Sequence, residues 1–165
     1  MTNIIPYCLE KLLGLSPDLI RSRLYDENTF YSKFREDLRC CRKEVIIESP
    51  FISSQRFCSL VRPLEALVAR KIKVYVIIRD PDEHDLSMKR QSEEAIRRLE
   101  TMGIHVIVNS EYSHRKLAII DRTILWEGSL NILSQTYSKE IMRRIESEAQ
   151  AKECFKFIDL GKYIY

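Results

Sequence analysis

The feature that most restricts the fold is a change of period that repeats along the chain. Short runs rich in Val and Ile occur at Glu44–Glu48, Lys73–Ile78, Ile104–Val108, Lys116–Ile120 and Thr123–Trp126. Apolar runs of that length suit strands buried on both faces. Two stripes at helical spacing lie between the first three runs. One is Phe57, Leu60, Val61, Leu64, Leu67 and Val68; the other is Ala95, Ile96, Leu99 and Met102, closed by Gly103 at a C′ position. Strand–helix–strand–helix–strand, followed by closely spaced strands, predicts an α/β chain with a mixed β-sheet flanked by helices. Ile141–Ile145 is a candidate sixth strand, and the tail from Ser147 reads as a last helix. Pro63 interrupts the first stripe, so that helix begins or kinks there. Arg79–Leu86 is polar and acidic and reads as a loop.

The beginning of the chain has a different texture. Residues 1–15 read as a short amphipathic helix, Ser16-Pro17 as an N-cap with a first-turn proline, and Asp26 or Asn28 as the cap of a helix carrying Phe30, Phe34 and Leu38. We therefore expect a helical N-terminal extension over 1–41 and one sheet domain over 42–165. With 165 residues, 45% hydrophobic and 31% charged, a packed core is attainable and global disorder is excluded. No apolar run approaches the roughly 20 residues that span a bilayer. The start lacks a basic region, and Glu10 and Lys11 break its apolar stretch, so no secretory signal is expected. The cysteines are five, an odd number without a CxxC pair, which argues against a disulfide framework or zinc site and for a reducing, cytoplasmic setting. The net charge of +3 permits a polyanionic partner without requiring one.

Nucleotide-cradling glycine loops, a GxSxG elbow and an HExxH metal motif are all missing. One segment carries chemistry. It is His114-x-Lys116, then Asp121, then Gly128-Ser129-x-Asn131, which reads HxKxxxxDxxxxxxGSxN. His114 and Lys116 are two apart on an extended segment, so both point to one face. A neutral imidazole can attack phosphorus, and an ammonium beside it can hold a phosphate oxygen. Gly128 allows close backbone approach, and Ser129 and Asn131 offer hydrogen bonds to phosphate oxygens. Asp121, at an odd offset, falls on the other face or past the strand end, where it supports the site without touching the same phosphate. Chance gives HxKxxxxD about once in a hundred chains of this composition, and GSxN at a fixed distance lowers that by powers of ten.

The pattern resembles the signature of the phospholipase D superfamily at every defining position. Val45–Ile52 looks like the strand and loop before the first long helix of that fold. Ile124–Ser134 with Glu140–Arg144 is similar to the phospholipase-D-like nuclease domains attached to bacterial DNA helicases and ATPases. The resemblance spans roughly Arg42 to Ile145. It implies a phospholipase D-like catalytic domain acting without metal or other cofactor. His114 attacks a phosphodiester to form a phosphohistidine, and a second signature histidine protonates the leaving oxygen. One signature implies a homodimer in which His114, Lys116 and Asn131 of two copies share one phosphate. In related nucleases an acidic residue soon after GSxN accepts a hydrogen bond from the nucleophile, and Glu140 stands in a comparable place.

Other residues read as ordinary. His84 sits in an acidic loop and His105 in an apolar strand. Lys89-Arg90, Arg97-Arg98 and Arg143-Arg144 read as solvated faces. Arg115 faces away from its signature neighbours. The expected function is a metal-independent DNA endonuclease, with a helicase or ATPase domain as an associated partner and no membrane. The rivals are a phospholipid phosphodiesterase and a non-catalytic nucleic-acid-binding or dimerisation module.

Overall fold

The computed structural model describes residues 21–83, 85–110, 113–134 and 137–164. Their elements are β1 (Ser22–Asp26), α1 (Phe30–Cys40), β2 (Glu44–Glu48), α2 (Ser54–Ala69), β3 (Lys73–Arg79), α3 (Leu86–Thr101), β4 (His105–Asn109), β5 (Leu117–Ile120), β6 (Ile124–Gly128), β7 (Ile141–Glu146) and α4 (Glu148–Phe157). Short 3₁₀ turns lie at Pro81–Glu83 and Leu160–Lys162. The strands form one sheet in the order β1-β7-β6-β5-β2-β3-β4. β2, β3 and β4 are parallel, and every other pairing is antiparallel.

Alternation in the strands loads both faces of this sheet. Val45, Ile47, Val74, Val76, Ile78, Ala118 and Ile120 point into a core closed by α1, α2 and α3. Ile46, Tyr75, Ile77, Leu117, Ile119 and Leu125 point the other way, under α4 and the C-terminal tail. The result is three layers, helix on sheet on helix. Ser53, Asp85 and Ser147 start their helices by accepting N–H bonds from Arg56, from Ser87 and Met88, and from Gln150. α2 begins at Ser54 and runs through Pro63, so the proline does not start it.

A buried polar node ties the helical layer to the sheet. Trp126 is fully buried, with its ring against Tyr25 and Phe30 at centroid distances of 5.0 Å. Its indole N–H donates to Asp37 on α1 at 2.9 Å, and Arg144 on β7 donates to the same carboxylate at 2.7 and 3.1 Å. Each charge in the pair is thereby hydrogen-bonded, the condition under which a buried ion pair is tolerated.

Two expectations about the start of the chain need correction. Ser22–Asp26 is a strand, pairing with β7 from Ser22↔Ile145 to Asp26↔Ile141. Five residues carry too little local preference to oppose a free sheet edge, so the tertiary partner decides. Residues 22–41 are also not separate from the sheet domain, because Phe30, Tyr31, Phe34, Leu38 and Cys41 belong to its main core. Asp26 stops β1 by accepting the N–H groups of Asn28 and Thr29, at 3.1 and 2.9 Å, and α1 follows. The expected helices within residues 1–20 lie outside the described residues.

Asp121 opens the turn from β5 to β6, where it and Arg122 both have positive φ, 52° and 56°. Thr123 N–H closes the turn on the Ile120 carbonyl at 3.0 Å. That left-handed pair matches the twist of a hairpin but is strained for arginine. Arg122 is compensated by an ion pair with Glu44 and by the Phe155 ring 3.4 Å from its guanidinium. The Asp121 carboxylate accepts the N–H groups of Arg42, Lys43 and Glu44 at 2.8, 2.7 and 3.1 Å, fixing the α1–β2 connection. Burial works to raise this carboxyl, and the backbone donors outweigh it, so its pKa lies below the usual value. A depressed folded pKa stabilises above the unfolded pKa, and the contribution is lost as pH falls through the folded value. Asp121→Asn should therefore cost about 1–3 kcal/mol in urea unfolding at neutral pH. The gap from wild type should close in acid; a gap of equal size at both pH values would remove this role.

Candidate active site

The register of β5 sets the site. Its four residues are all buried. Continuing their alternation upstream puts Lys116 and His114 on the α1–α3 side and Arg115 and Ser113 on the α4 side. Lys116 is buried, 9% exposed, while His114 is exposed. The Lys116 ammonium donates to the His114 carbonyl at 2.7 Å and lies 2.8 Å from its Nδ1 and 3.5 Å from Nε2. An ammonium only donates, so Nδ1 is the acceptor and the neutral ring carries its hydrogen on Nε2. Desolvation, then the charges of Lys116 and Arg79, push the His114 pKa below its ordinary value. Burial also lowers Lys116, against the opposing field of Glu140. The arrangement is a neutral, exposed base beside a cation anchored in the sheet. The ring of Phe51 meets His114 edge-on, 5.9 Å between centroids.

On the opposite side a carboxylate holds the same segment. Glu48 ends β2 and is 2% exposed. It accepts from Ser113 Oγ at 2.5 Å and from Arg115 Nε at 3.0 and 3.1 Å. Arg115 does face away from the imidazole, as expected, and its work is to clamp the stretch that carries it. Sequence reading passed over Glu48 as the last residue of a strand. The usable signal was an acid closing a run of three buried aliphatic residues, a position that requires a paired cation.

β6 brings the second half of the motif alongside. Gly128 N–H donates to the Lys116 carbonyl at 3.3 Å. A Cβ at Gly128 would lie 2.1 Å from the Ile141 carbonyl oxygen, so the glycine admits the backbone of β7. Ser129 N–H donates to that carbonyl at 2.9 Å, and Ile141 N–H donates to Ser129 Oγ at 3.1 Å. Leu130, Ile132 and Leu133 are fully buried and lock the loop around Asn131. Tyr31 Oη donates to the Ile132 carbonyl at 3.0 Å, Leu133 N–H to Ser49 Oγ at 3.2 Å, and Ser53 N–H to the Leu133 carbonyl at 3.0 Å. Asn131 Oδ1 is buried with no hydrogen-bond partner, the one such side-chain atom among the described residues. Native interiors seldom leave such a group unmatched, and functional sites are where they do.

Glu140 takes a hydrogen bond from Ser129 Oγ and another from Ser138 Oγ at 2.7 Å, and its N–H donates to Glu27 at 3.1 Å. Among the described residues no hydrogen bond joins it to His114. Its influence arrives through Ser129 and through its field at Lys116. Asp121 sits at the far end of β5 from Lys116. His105 is exposed and stacked on Tyr75 at 5.2 Å, and His84 lies outside the described residues. Arg144 is committed to Asp37 and Lys89 to Asp82. No cluster of three His, Cys, Asp or Glu side chains suited to a metal occurs among the described residues.

The sequence matches the family described as cardiolipin synthase, PLD-like domain, over residues 34–159. The fold is similar to Nuc from Salmonella typhimurium, a phospholipase D family member, with a TM-score of 0.68 at 16% identity, covering 82% of this chain and 90% of that one. NucT from Helicobacter pylori gives a TM-score of 0.66 at 15% identity, covering 82% and 91%. Polyphosphate kinase from Porphyromonas gingivalis gives 0.67 at 14% identity, covering 92% of this chain and 28% of the larger one. No curated protein matches the sequence.

The charge arrangement can be tested without any substrate. His114 should titrate below the ordinary histidine value of about 6.5 in an NMR titration. Lys116→Gln removes the neighbouring cation and should move that midpoint upward; an unchanged midpoint would mean that the ammonium does not act on the ring.

Proposed function

The chain belongs to the PLD-like domain family, and from that premise we propose that it is a metal-independent phosphodiesterase cutting DNA through a phosphohistidine. The observation that carries the reading is the anchored Lys116 ammonium beside the exposed His114 imidazole. In the free protein Lys116 occupies the lone pair of the ring. A phosphodiester oxygen arriving at Lys116 takes that ammonium over and frees the ring nitrogen to attack phosphorus. The new P–N bond forms as the P–O bond to the leaving oxygen breaks, and that oxygen takes a proton from a second imidazole, which enters the step protonated and leaves it neutral. Water then attacks phosphorus, returns its proton to the second imidazole, and releases His114. Lys116 and the Asn131 amide hold the non-bridging oxygens, whose negative charge grows in each transition state.

One chain supplies one signature, so the second imidazole is His114 of another copy, in a homodimer with two-fold symmetry. Ser129 and Gly128 border the phosphate, and Glu140 steadies Ser129 and Lys116. The likeness of Ile124–Ser134 to helicase-attached domains supports a helicase or ATPase as an associated protein. Cys40, Cys41, Cys58 and Cys154 are free thiols, which supports a cytoplasmic setting. No described helix is long and apolar enough to cross a membrane.

DNA and phosphatidylglycerol vesicles, each incubated in excess chelator with wild type and His114→Ala, test this reading. Wild type should cut DNA at full rate in chelator, and His114→Ala should lose both turnover and an acid-labile phosphorus–nitrogen adduct. Lys116→Ala should lose about 3–4 kcal/mol of transition-state stabilisation. Magnesium-dependent cutting would overturn the mechanism, and cleavage confined to the vesicles would replace the substrate. Purified heterodimers of wild-type and His114→Ala chains should be inactive; near-half activity would show that each copy works alone.

A further inference from the structure

Away from the signature, α1 and α2 enclose a groove of about 510 Å³. Arg35, Arg39, Arg62 and Arg70 rim it, over a floor that includes Leu38 and Ala66, and no acidic side chain lines it. Arg70 is committed, donating to the Arg39 carbonyl at 2.9 Å and to the Cys41 carbonyl. Arg35, Arg39 and Arg62 form no ion pair among the described residues. Glu36, which lies between Arg35 and Arg39 in sequence, is already paired with Lys33 at 2.9 Å. Four cations in one groove exceed the whole chain's net charge of +3.

Their spacing is that of a track. Arg35 and Arg39 are one helical turn apart, about 6 Å along α1, while Arg62 and Arg70 are two turns apart, about 12 Å along α2. A single small anion would use one or two of them, whereas a row needs a ligand with repeated negative charge. Guanidinium groups match phosphate oxygens in paired fashion. One end of the groove is at Ser32, next to Tyr31. The Tyr31 hydroxyl binds the Ile132 carbonyl beside Asn131, and Arg56 lies 4.0 Å over the Tyr31 ring. The helix that carries Arg35 and Arg39 is thus tied at its first turn to the loop around Asn131.

We propose that the α1–α2 groove is a second contact surface for a nucleic-acid backbone, holding the strand outside the phosphodiester being cut. The identity of the partner rests on the nuclease reading. The test uses the full chain with Arg35→Gln, Arg39→Gln and Arg62→Gln combined. Binding of labelled single-stranded DNA is measured across salt concentrations in the His114→Ala background, which prevents cleavage. Three lost phosphate contacts should flatten the slope of log affinity against log salt by about 2. An unchanged thermal melt should accompany the loss. With His114 intact, hydrolysis of bis(p-nitrophenyl) phosphate, too small to reach the groove, should match the parent.

Equal affinity and equal slope in parent and variant would overturn the proposal. So would a loss confined to poly-L-glutamate or to anionic vesicles, which would assign the groove to a protein or a membrane. Arginine-dependent DNA binding by a wild type that cuts no nucleic acid would sink the nuclease reading and keep the groove. Cutting with arginine-independent binding would do the reverse.

Discussion

The constraint on which the rest depends is that β5 is buried on both faces. A slip of one residue would drive Ala118 and Ile120 to the α4 side and Leu117 and Ile119 to the α1–α3 side, undoing both cores at once. Register is therefore fixed by packing far more firmly than any hydrogen bond could fix it. Everything attached to the ends of β5 inherits that precision. Lys116 precedes it, Asp121 follows it, and Gly128 lies on the neighbouring strand against Lys116.

Three carboxylates, Asp37 and Glu48 buried and Asp121 half-buried, then do what an apolar core cannot. Asp37 joins Trp126 and Arg144, Glu48 joins Ser113 and Arg115, and Asp121 gathers three backbone N–H groups. Each takes its partners from segments distant in the chain, and each is directional where hydrophobic contact is not. Removing one partner would leave a charge inside the protein without compensation, so these nodes resist rearrangement. Glu48 bears most directly on chemistry, since it clamps the two residues that flank His114.

The electrostatics of the site follow from this frame. An exposed lysine would be solvated and would act weakly on its neighbour. Lys116 is buried, so its charge adds to the desolvation that already lowers the pKa of the ring beside it. The imidazole faces solvent, with its Nδ1 held by the ammonium. The rest of the cationic charge lies mostly elsewhere, with a row of arginines between α1 and α2.

The sequence by itself determined the layered α/β class, six of the seven strands to within two residues, and the pairing of His114 with Lys116. These depend on local period, and a two-residue spacing on an extended chain has one geometric meaning. It also set Asp121 apart from Lys116, because an odd offset leads to the other face or past the strand end, and Asp121 follows the last residue of β5. Ser22–Asp26 could not be read as a strand, since its only reason to be one is the open edge of β7. Glu48 could not be matched with Arg115, because 67 residues separate partners that only sheet pairing brings together. Glu140, expected against the histidine, lies instead against Ser129 and Ser138, because the tight pairing of Gly128 and Ser129 with Ile141 and Met142 carries it there. Local period writes itself into consecutive residues, whereas the partners of buried charge are chosen by where the chain returns, and only the tertiary structure decides that.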